Sequence, residues 1–261
     1  MKEINEKIKA LDILCAYILS HVEYFTIYFP KLKTKFFRKL KKFIEDNYRN
    51  TVISDYILNN KKIKKELPAL RKLFLEYEKK LEKQIVKQVF QGDNTSLNKY
   101  IQPYLRFLKK DGLIADVKST TKIVILGSGY LPGTALLFNK IFKAECTCLD
   151  NDIDAVNTSR KLIKKLSLDQ AITVQFGDAV NYPLAGYDLI ILTGACFPKK
   201  DILNHIQKVA EDTKIMYRDP QGLYKLWYVP ISQKEIGKFN IINKINHGNK
   251  FPFDTLLLVN K

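Results

Sequence analysis

The chain has 261 residues, 46% of them hydrophobic and 27% charged, with a formal net charge of +17. That apolar content can build a core and excludes wholesale disorder, and no stretch approaches the roughly 18–20 uncharged apolar residues of a membrane-spanning helix. Glu3, Glu6, Asp12 and Glu23 interrupt the first segment, which also lacks a small-residue cleavage site, so a signal peptide is not expected and the location read from the sequence is cytoplasmic.

Residues 1–112 read as helix after helix. Spacings of three and four at Ile4, Ile8, Leu11, Leu14, Cys15, Ile18 and Leu19 predict a helix over 4–28. Leu32, Phe36, Phe37, Leu40 and Phe43 predict another over 32–47. Leu70, Leu73, Phe74, Tyr77, Leu81, Ile85 and Val89 predict a third over 69–90, closed by the turn residues Gly92, Asp93 and Asn94. The first 115 residues carry 25 Lys/Arg against 13 Asp/Glu, the remainder 19 against 14. The densest run is KLKTKFFRKLKK, residues 31–42. Its cations are mostly lysine, whereas base and phosphate forks favour arginine. No specific nucleic-acid partner is expected, and no membrane partner.

At residue 121 the texture changes. TKIVILGSG feeds a strand into a glycine turn. CTCLD (146–150), ITVQFGD (172–178), YDLIILTG (187–194) and TKIMYRD (213–219) read as four further strands, with helices over 153–166 and 200–211 between them. Strands alternating with helices at this spacing predict a doubly wound parallel sheet. The fold class is therefore α/β, with an all-helical domain over 1–115 preceding a Rossmann-like domain over 116–261. Four cysteines form no disulfide framework in a chain of this length, and no Cys/His cluster has zinc-ligand spacing, so no metal is expected. Cys146 and Cys148 read as small core residues on one face of the second strand.

The ends of the first three strands carry a ligand-binding pattern. Gly127, Ser128 and Gly129 form a turn between strand and helix, continued by Tyr130 and Pro132. Asp150 ends the second strand, where a carboxylate can accept both ribose hydroxyls, and Asn151 and Asp152 follow. Gly177, Asp178 and Ala179 end the third, near the place of an adenine amino group. Thr193 closes the fourth. Singly these are weak, since a strand-terminal Asp is often only a helix cap. Their ordered combination resembles class I S-adenosylmethionine (SAM) enzymes, which makes SAM the expected co-substrate.

The flanks carry a narrower resemblance. VILGSGYLPGTALL, with Leu131-Pro132 and Thr134 after the glycines, is similar to the nicotianamine synthase family. So are MYRDPQGLYKLWYVP with Arg218, Gly222 and Pro230, the segment EYEKKLE (76–82), Gln102-Pro103-Tyr104, and NHGNKFPFDTLLLVNK with His247. The resemblance spans residues 70–261. It implies transfer of the 3-amino-3-carboxypropyl (aminobutanoyl) group of SAM to the amine of a small amino-acid acceptor, with release of methylthioadenosine. The products are nicotianamine or opine precursors that chelate metals. It also implies a carboxylate base, with Glu82 the first choice and Glu78 the alternate, supported by Tyr104, and a cover of residues 70–110 over the acceptor. Arg218, Asp219, Gln221 and His247 are the expected acceptor contacts. Asp219-Pro220-Gln221-Gly222 departs from the Ser-Ala-His-Gly of plant members.

On the residues alone, Glu78 and Glu82 could equally pair with Lys79, Lys83 or Lys87 on a wet face, Arg218 could be a surface charge, and His247 an exposed loop residue. A methyltransferase acting on RNA or a small molecule is the second reading. Leu192-Thr193-Gly194-Ala195-Cys196-Phe197-Pro198 lacks the motifs that class would need. A homodimer is compatible with either reading.

Overall fold

The computed structural model describes residues 2–28, 31–47, 50–248 and 251–261. Its helices are α1 (Lys2–Tyr28), α2 (Lys31–Asn47), α3 (Thr51–Asn59), α4 (Lys61–Phe90), α5 (Thr95–Ile101), α6 (Leu105–Ile114), α7 (Gly133–Phe142), α8 (Ile153–Lys165), α9 (Lys199–Val209) and α10 (Gln233–Ile236). The strands are β1 (Lys122–Leu126), β2 (Glu145–Asp150), β3 (Ile172–Phe176), β4 (Leu189–Leu192), β5 (Lys214–Pro220), β6 (Phe239–Ile245) and β7 (Phe253–Asn260). Among the described residues no helix is long and apolar enough to cross a membrane.

The chain divides into two compact units, one of Met1–Glu78 with Pro220–Pro230 and one of Lys79–Asp219 with Ile231–Lys261. This division differs from the expected boundary after residue 115. The reason is packing. Ile85, Val86, Val89, Leu97, Ile101 and Leu108 bury themselves in the same core as Ile123 and Ile125 of β1 and Leu136 of α7. The helices from residue 79 onward therefore belong to the sheet, although their local pattern is purely helical.

The first unit is helical. Leu11, Ile18, Phe36, Phe37, Ile57, Leu70 and Phe74 share its core with Leu223, Leu226 and Trp227. Phe74 and Trp227 stack with centroids 4.2 Å apart, and Arg71 Nη2 donates to the Lys225 carbonyl at 2.7 Å. In the basic run, Phe36, Phe37 and Leu40 are buried while Arg38, Lys39, Lys41 and Lys42 are exposed, as an amphipathic helix requires. Lys41 and Lys42 pair with Glu45 and Asp46 one turn on. The side chains of Lys31, Lys33 and Lys35 lie outside the described residues, as do those of Ile4 and Ile8 and all of Asn249 and Lys250. Helix α4 begins at Lys61 rather than near residue 69 and runs through Pro68. Asn60 starts it, its Oδ1 accepting from the amides of Lys62 and Ile63.

The second unit holds a seven-stranded sheet of order β3-β2-β1-β4-β5-β7-β6. The five expected strands are all present. β1 pairs in parallel with β2 and β4, β2 with β3, and β4 with β5. This is the Rossmann-like class expected. β6 and β7 form an antiparallel ribbon that the sequence reading did not anticipate. Cys146 and Cys148 lie buried on β2 as expected.

A buried polar cluster ties α6, β5 and β7 together. Asp111 is fully buried, and Arg218, His247 and Thr255 around it are at most 7% exposed. Arg218 Nη1 donates to Asp111 Oδ2 and Thr255 Oγ1. His247 Nε2 lies 2.7 Å from Asp111 Oδ1, and Thr255 Oγ1 donates to Asp111 Oδ2 at 3.1 Å. Arg218 is thus no surface charge and His247 no exposed loop residue. Both are drawn inward by a carboxylate that sequence spacing could not associate with them. Burial pushes the Asp111 carboxyl up, but the Arg218 charge and the His247 contact outweigh that and hold it below the ordinary carboxylate value.

Asp111→Ala should strand a guanidinium in the interior and cost about 3–5 kcal/mol in urea unfolding. A loss under about 1 kcal/mol would mean the cluster relaxes to solvent. A depressed carboxylate contributes stability above its unfolded value near 3.8, and that contribution disappears as pH falls through the lower folded value. The unfolding midpoint should therefore fall on acidification below about pH 4, and fall less steeply in Asp111→Asn.

Candidate active site

The carboxyl ends of β1 and β2 face a turn held by two carboxylates. Gly127 and Gly129 adopt φ of +75° and +71°, where L side chains are strained. Asp150 leaves the end of β2 and its Oδ2 accepts from the Gly129 amide at 2.8 Å. Its Oδ1 accepts from the Asp152 amide at 3.0 Å. On the other side, Glu82 from α4 accepts at Oε2 from the amides of Tyr130 (3.0 Å) and Leu131 (3.4 Å). A Cβ on residue 129 would meet that same Oε2 at 2.7 Å. The glycine there makes room for the Glu82 carboxylate.

The neighbouring side chains fix this arrangement. Asp152 caps α8, its Oδ1 accepting from the amides of Asp154 and Ala155. Its Oδ2 accepts from Lys79 at 2.8 Å and from the Tyr130 hydroxyl at 3.1 Å. Lys83 lies over the Tyr130 ring, 4.3 Å from its centroid. Thr193 donates from Oγ1 to the carbonyls of Leu126 and Gly127 at 2.9 and 3.0 Å, so it secures the end of β1. Ser128 and Pro132 are buried, and the Ser128 hydroxyl has no hydrogen-bond partner among the described residues.

The expected adenine end is more open. Asp178 is exposed and its Oδ1 accepts from the Val180 amide at 3.1 Å. Gly177 is half-buried, Ala179 buried and Asn151 exposed. Ile153, Phe176 and Phe197 leave 49%, 55% and 68% of their surface open at this same edge. Sequence reasoning passed over them. Large apolar side chains left open together are a feature of interaction surfaces and ligand grooves. The available signal was an aromatic residue directly before Gly177.

Tyr104 is half-buried, with its ring 5.7 Å from Phe251 in an edge-on contact. Phe251 also stacks on Phe107 at 4.8 Å and meets His247 at 5.0 Å. Tyr104 therefore adjoins the Asp111 cluster. Asp219 is half-buried and accepts at Oδ1 from the Ile231 amide at 3.2 Å. Gln221 belongs to the first unit and its carbonyl accepts from the Tyr224 amide at 3.0 Å. Among the described residues, no group of three or more His, Cys, Asp or Glu could hold a metal ion.

Glu78 belongs to the first unit, one helical turn before Glu82 on α4. The Tyr228 hydroxyl donates to its Oε1 at 2.8 Å. Burial pushes its carboxyl up to about 7, against the opposing influence of that hydroxyl and of the Lys41 charge. The two glutamates thus have different chemistry. Glu82 is tied to backbone amides, whereas burial raises the Glu78 carboxyl.

A family model described as nicotianamine synthase protein matches residues 30–258. An L-histidine 2-aminobutanoyltransferase of Yersinia pestis is 27% identical over 136 residues, 50% of this chain and 49% of that protein. Another of the same name from Pseudomonas aeruginosa is 22% identical over 166 residues, 62% of each. The chain thus spans about half of the first relative's length and three-fifths of the second's. The crystal structure of a glutamate-to-glutamine mutant of MtNAS in complex with S-adenosylmethionine superposes with a TM-score of 0.80 at 21% identity, covering 94% of this chain and 96% of that one. This likeness establishes a shared fold.

Gly129→Ala should cost at least about 1–2 kcal/mol in thermal unfolding, since it adds left-handed strain to a clash with Glu82. Shortening the opposing side chain relieves the clash. The double variant Gly129→Ala/Glu82→Ala should then be more stable than the two single losses predict when added. Simple additivity would show that the carboxylate does not press on residue 129.

Proposed function

The chain belongs to the nicotianamine synthase family, and from that membership we propose that it transfers the aminobutanoyl group of SAM to the amine of an amino-acid acceptor. The relatives named L-histidine 2-aminobutanoyltransferase support a histidine or histidine-like acceptor. A neighbour of the same fold in complex with S-adenosylmethionine supports the co-substrate. The product would be a metallophore of the nicotianamine or staphylopine kind, made in the cytoplasm without a nucleic-acid or membrane partner. The observation that carries the reading is the glycine turn gripped by Asp150 at the carboxyl edge of the sheet, in a chain that matches the family over residues 30–258.

Each Asp150 oxygen accepts one backbone amide and keeps a lone pair for a ribose hydroxyl. Asp178 suits the adenine amino group, with Ile153 and Phe176 available to its ring faces. SAM supplies a carbon activated by its sulfonium. The acceptor nitrogen bonds to the methionine Cγ as the C–S bond breaks, and the electron pair leaves on sulfur as methylthioadenosine. Sulfur departs as a neutral thioether, so the step needs no Lewis acid. The nitrogen must first be neutral. Glu78, with its carboxyl near 7, is matched to taking that proton. Glu82 is not, because its Oε2 already serves the amides of Tyr130 and Leu131. Between the two glutamates this reading favours Glu78, where the sequence put Glu82 first.

Incubation with SAM and a panel of amino acids, read by mass spectrometry, tests the reaction. A product heavier by one aminobutanoyl unit should accumulate with methylthioadenosine. S-adenosylhomocysteine in its place would favour the methyltransferase reading. Glu78→Gln keeps the shape and removes the base, so turnover should fall by about 10²–10⁴. The base works ionised, so wild-type turnover should rise with pH through about 7 and be lost below it. Near-normal turnover in Glu78→Gln would remove Glu78 from the chemistry.

A further inference from the structure

Lys79, Glu82 and Lys83, spaced by three and four residues on one face of α4, converge on the residue that follows the glycine turn. Glu82 Oε2 accepts from the Tyr130 amide at 3.0 Å. The Lys83 ammonium lies over the Tyr130 ring, 4.3 Å from its centroid. Lys79 donates at 2.8 Å to Asp152 Oδ2, the same oxygen that accepts from the Tyr130 hydroxyl at 3.1 Å. Asp152 is itself fixed, because its Oδ1 caps α8. Tyr130 is 2% exposed, so its side chain is enclosed by the protein rather than offered to a ligand. Burial raises its hydroxyl, which therefore stays protonated and able to donate at neutral pH. A partly exposed pair such as Lys79–Asp152 is worth little by itself. The convergence of all these contacts on one buried side chain is what ties α4 to the turn.

We propose that Tyr130 is a positioning residue for aminobutanoyl transfer, clasping α4 and the glycine turn together through Asp152 so that the turn keeps one place beside SAM. The sulfonium of SAM activates three carbons, and its methyl is the least hindered. Attack at the methionine Cγ requires that arm of the ligand to be held in one orientation, which is catalysis by placement. Asp150 secures the turn at Gly129. Tyr130 secures it one residue further on, so a turn released from Tyr130 shifts the backbone on which the ligand rests. The proposal rests on the reading that the chain transfers the aminobutanoyl group of SAM.

The test combines steady-state kinetics with amide hydrogen exchange in Tyr130→Phe, Lys79→Met and Lys79→Arg. The first removes only the hydroxyl, the second removes the cation from a chain of similar length, and the third keeps the cation. A misplacement of about 1 Å costs on the order of 10²-fold in rate, so kcat should fall about 10- to 100-fold in Tyr130→Phe and in Lys79→Met. KM for SAM should hold, because Asp150 and Asp178 are untouched. Lys79→Arg should keep most of the rate. Exchange should quicken at the amides of Tyr130 and Leu131 in the first two variants, while the Gly129 amide, bonded to Asp150, stays slow. The proposal is overturned if kcat stays near the wild-type value in both variants, or if KM for SAM carries the loss. It is also overturned if kcat falls only in step with thermal stability and Lys79→Arg does not restore it. A wild type that forms no aminobutanoyl product would sink the transfer reading instead. The exchange contrast between Gly129 and its two successors would still decide the clasp, and equal exchange at all three amides would reject it.

Discussion

Everything at the sheet's ligand edge depends on one short turn being held from both sides. Asp150 grips it from β2 and Glu82 from α4, through amides of consecutive residues. Hydrogen bonds from backbone amides to a carboxylate are among the stronger ones a protein makes. They also order the turn before any ligand arrives, so the cost of arranging it is met in folding. Gly129 is required because the backbone is left-handed there and because the Glu82 oxygen occupies the space a side chain would need.

The Asp111 cluster does a comparable job deeper in the second unit. A buried ion pair is a poor source of stability by itself, since desolvating both charges offsets most of their attraction. What it supplies is registry. Arg218 on β5 and Thr255 on β7 must both reach one carboxylate on α6. Phe251 stacks against Phe107 beside them and places its ring edge-on to Tyr104. Tyr104 is thereby positioned by packing that originates in the cluster.

The parallel strands were legible because each is a short, mostly apolar and β-branched run that leads into Gly or Asp. β6 was not. As the outermost strand it exposes Ile241 and Ile242 in succession, at a register shift that breaks the two-residue alternation. Asp111 was illegible for another reason. Its partners Arg218 and Thr255 lie 107 and 144 residues away, and nothing local marks a helical Asp as buried. Glu78 and Glu82 were recognised together, but sequence could not rank them. Their difference comes from what lies opposite, Tyr228 for one and backbone amides for the other. The family and its fold were recognisable from the glycine turn and its flanks, while the division of the chain followed packing that local periodicity does not encode.

The strand order carries a consequence for assembly. β6 comes before β7 in the chain but lies outside it, with β7 seated between β5 and β6. β6 therefore has no place on the growing sheet until its successor has formed. β6 is held to the sheet through β7 alone, by their antiparallel pairing. Without β7, the flank of β5 stands open and Arg218 lacks its Thr255 partner. The strand that covers the flank of β5 is thus the one that brings Thr255 to Arg218 and Asp111, so the edge of the sheet and the charge cluster are completed by the same element.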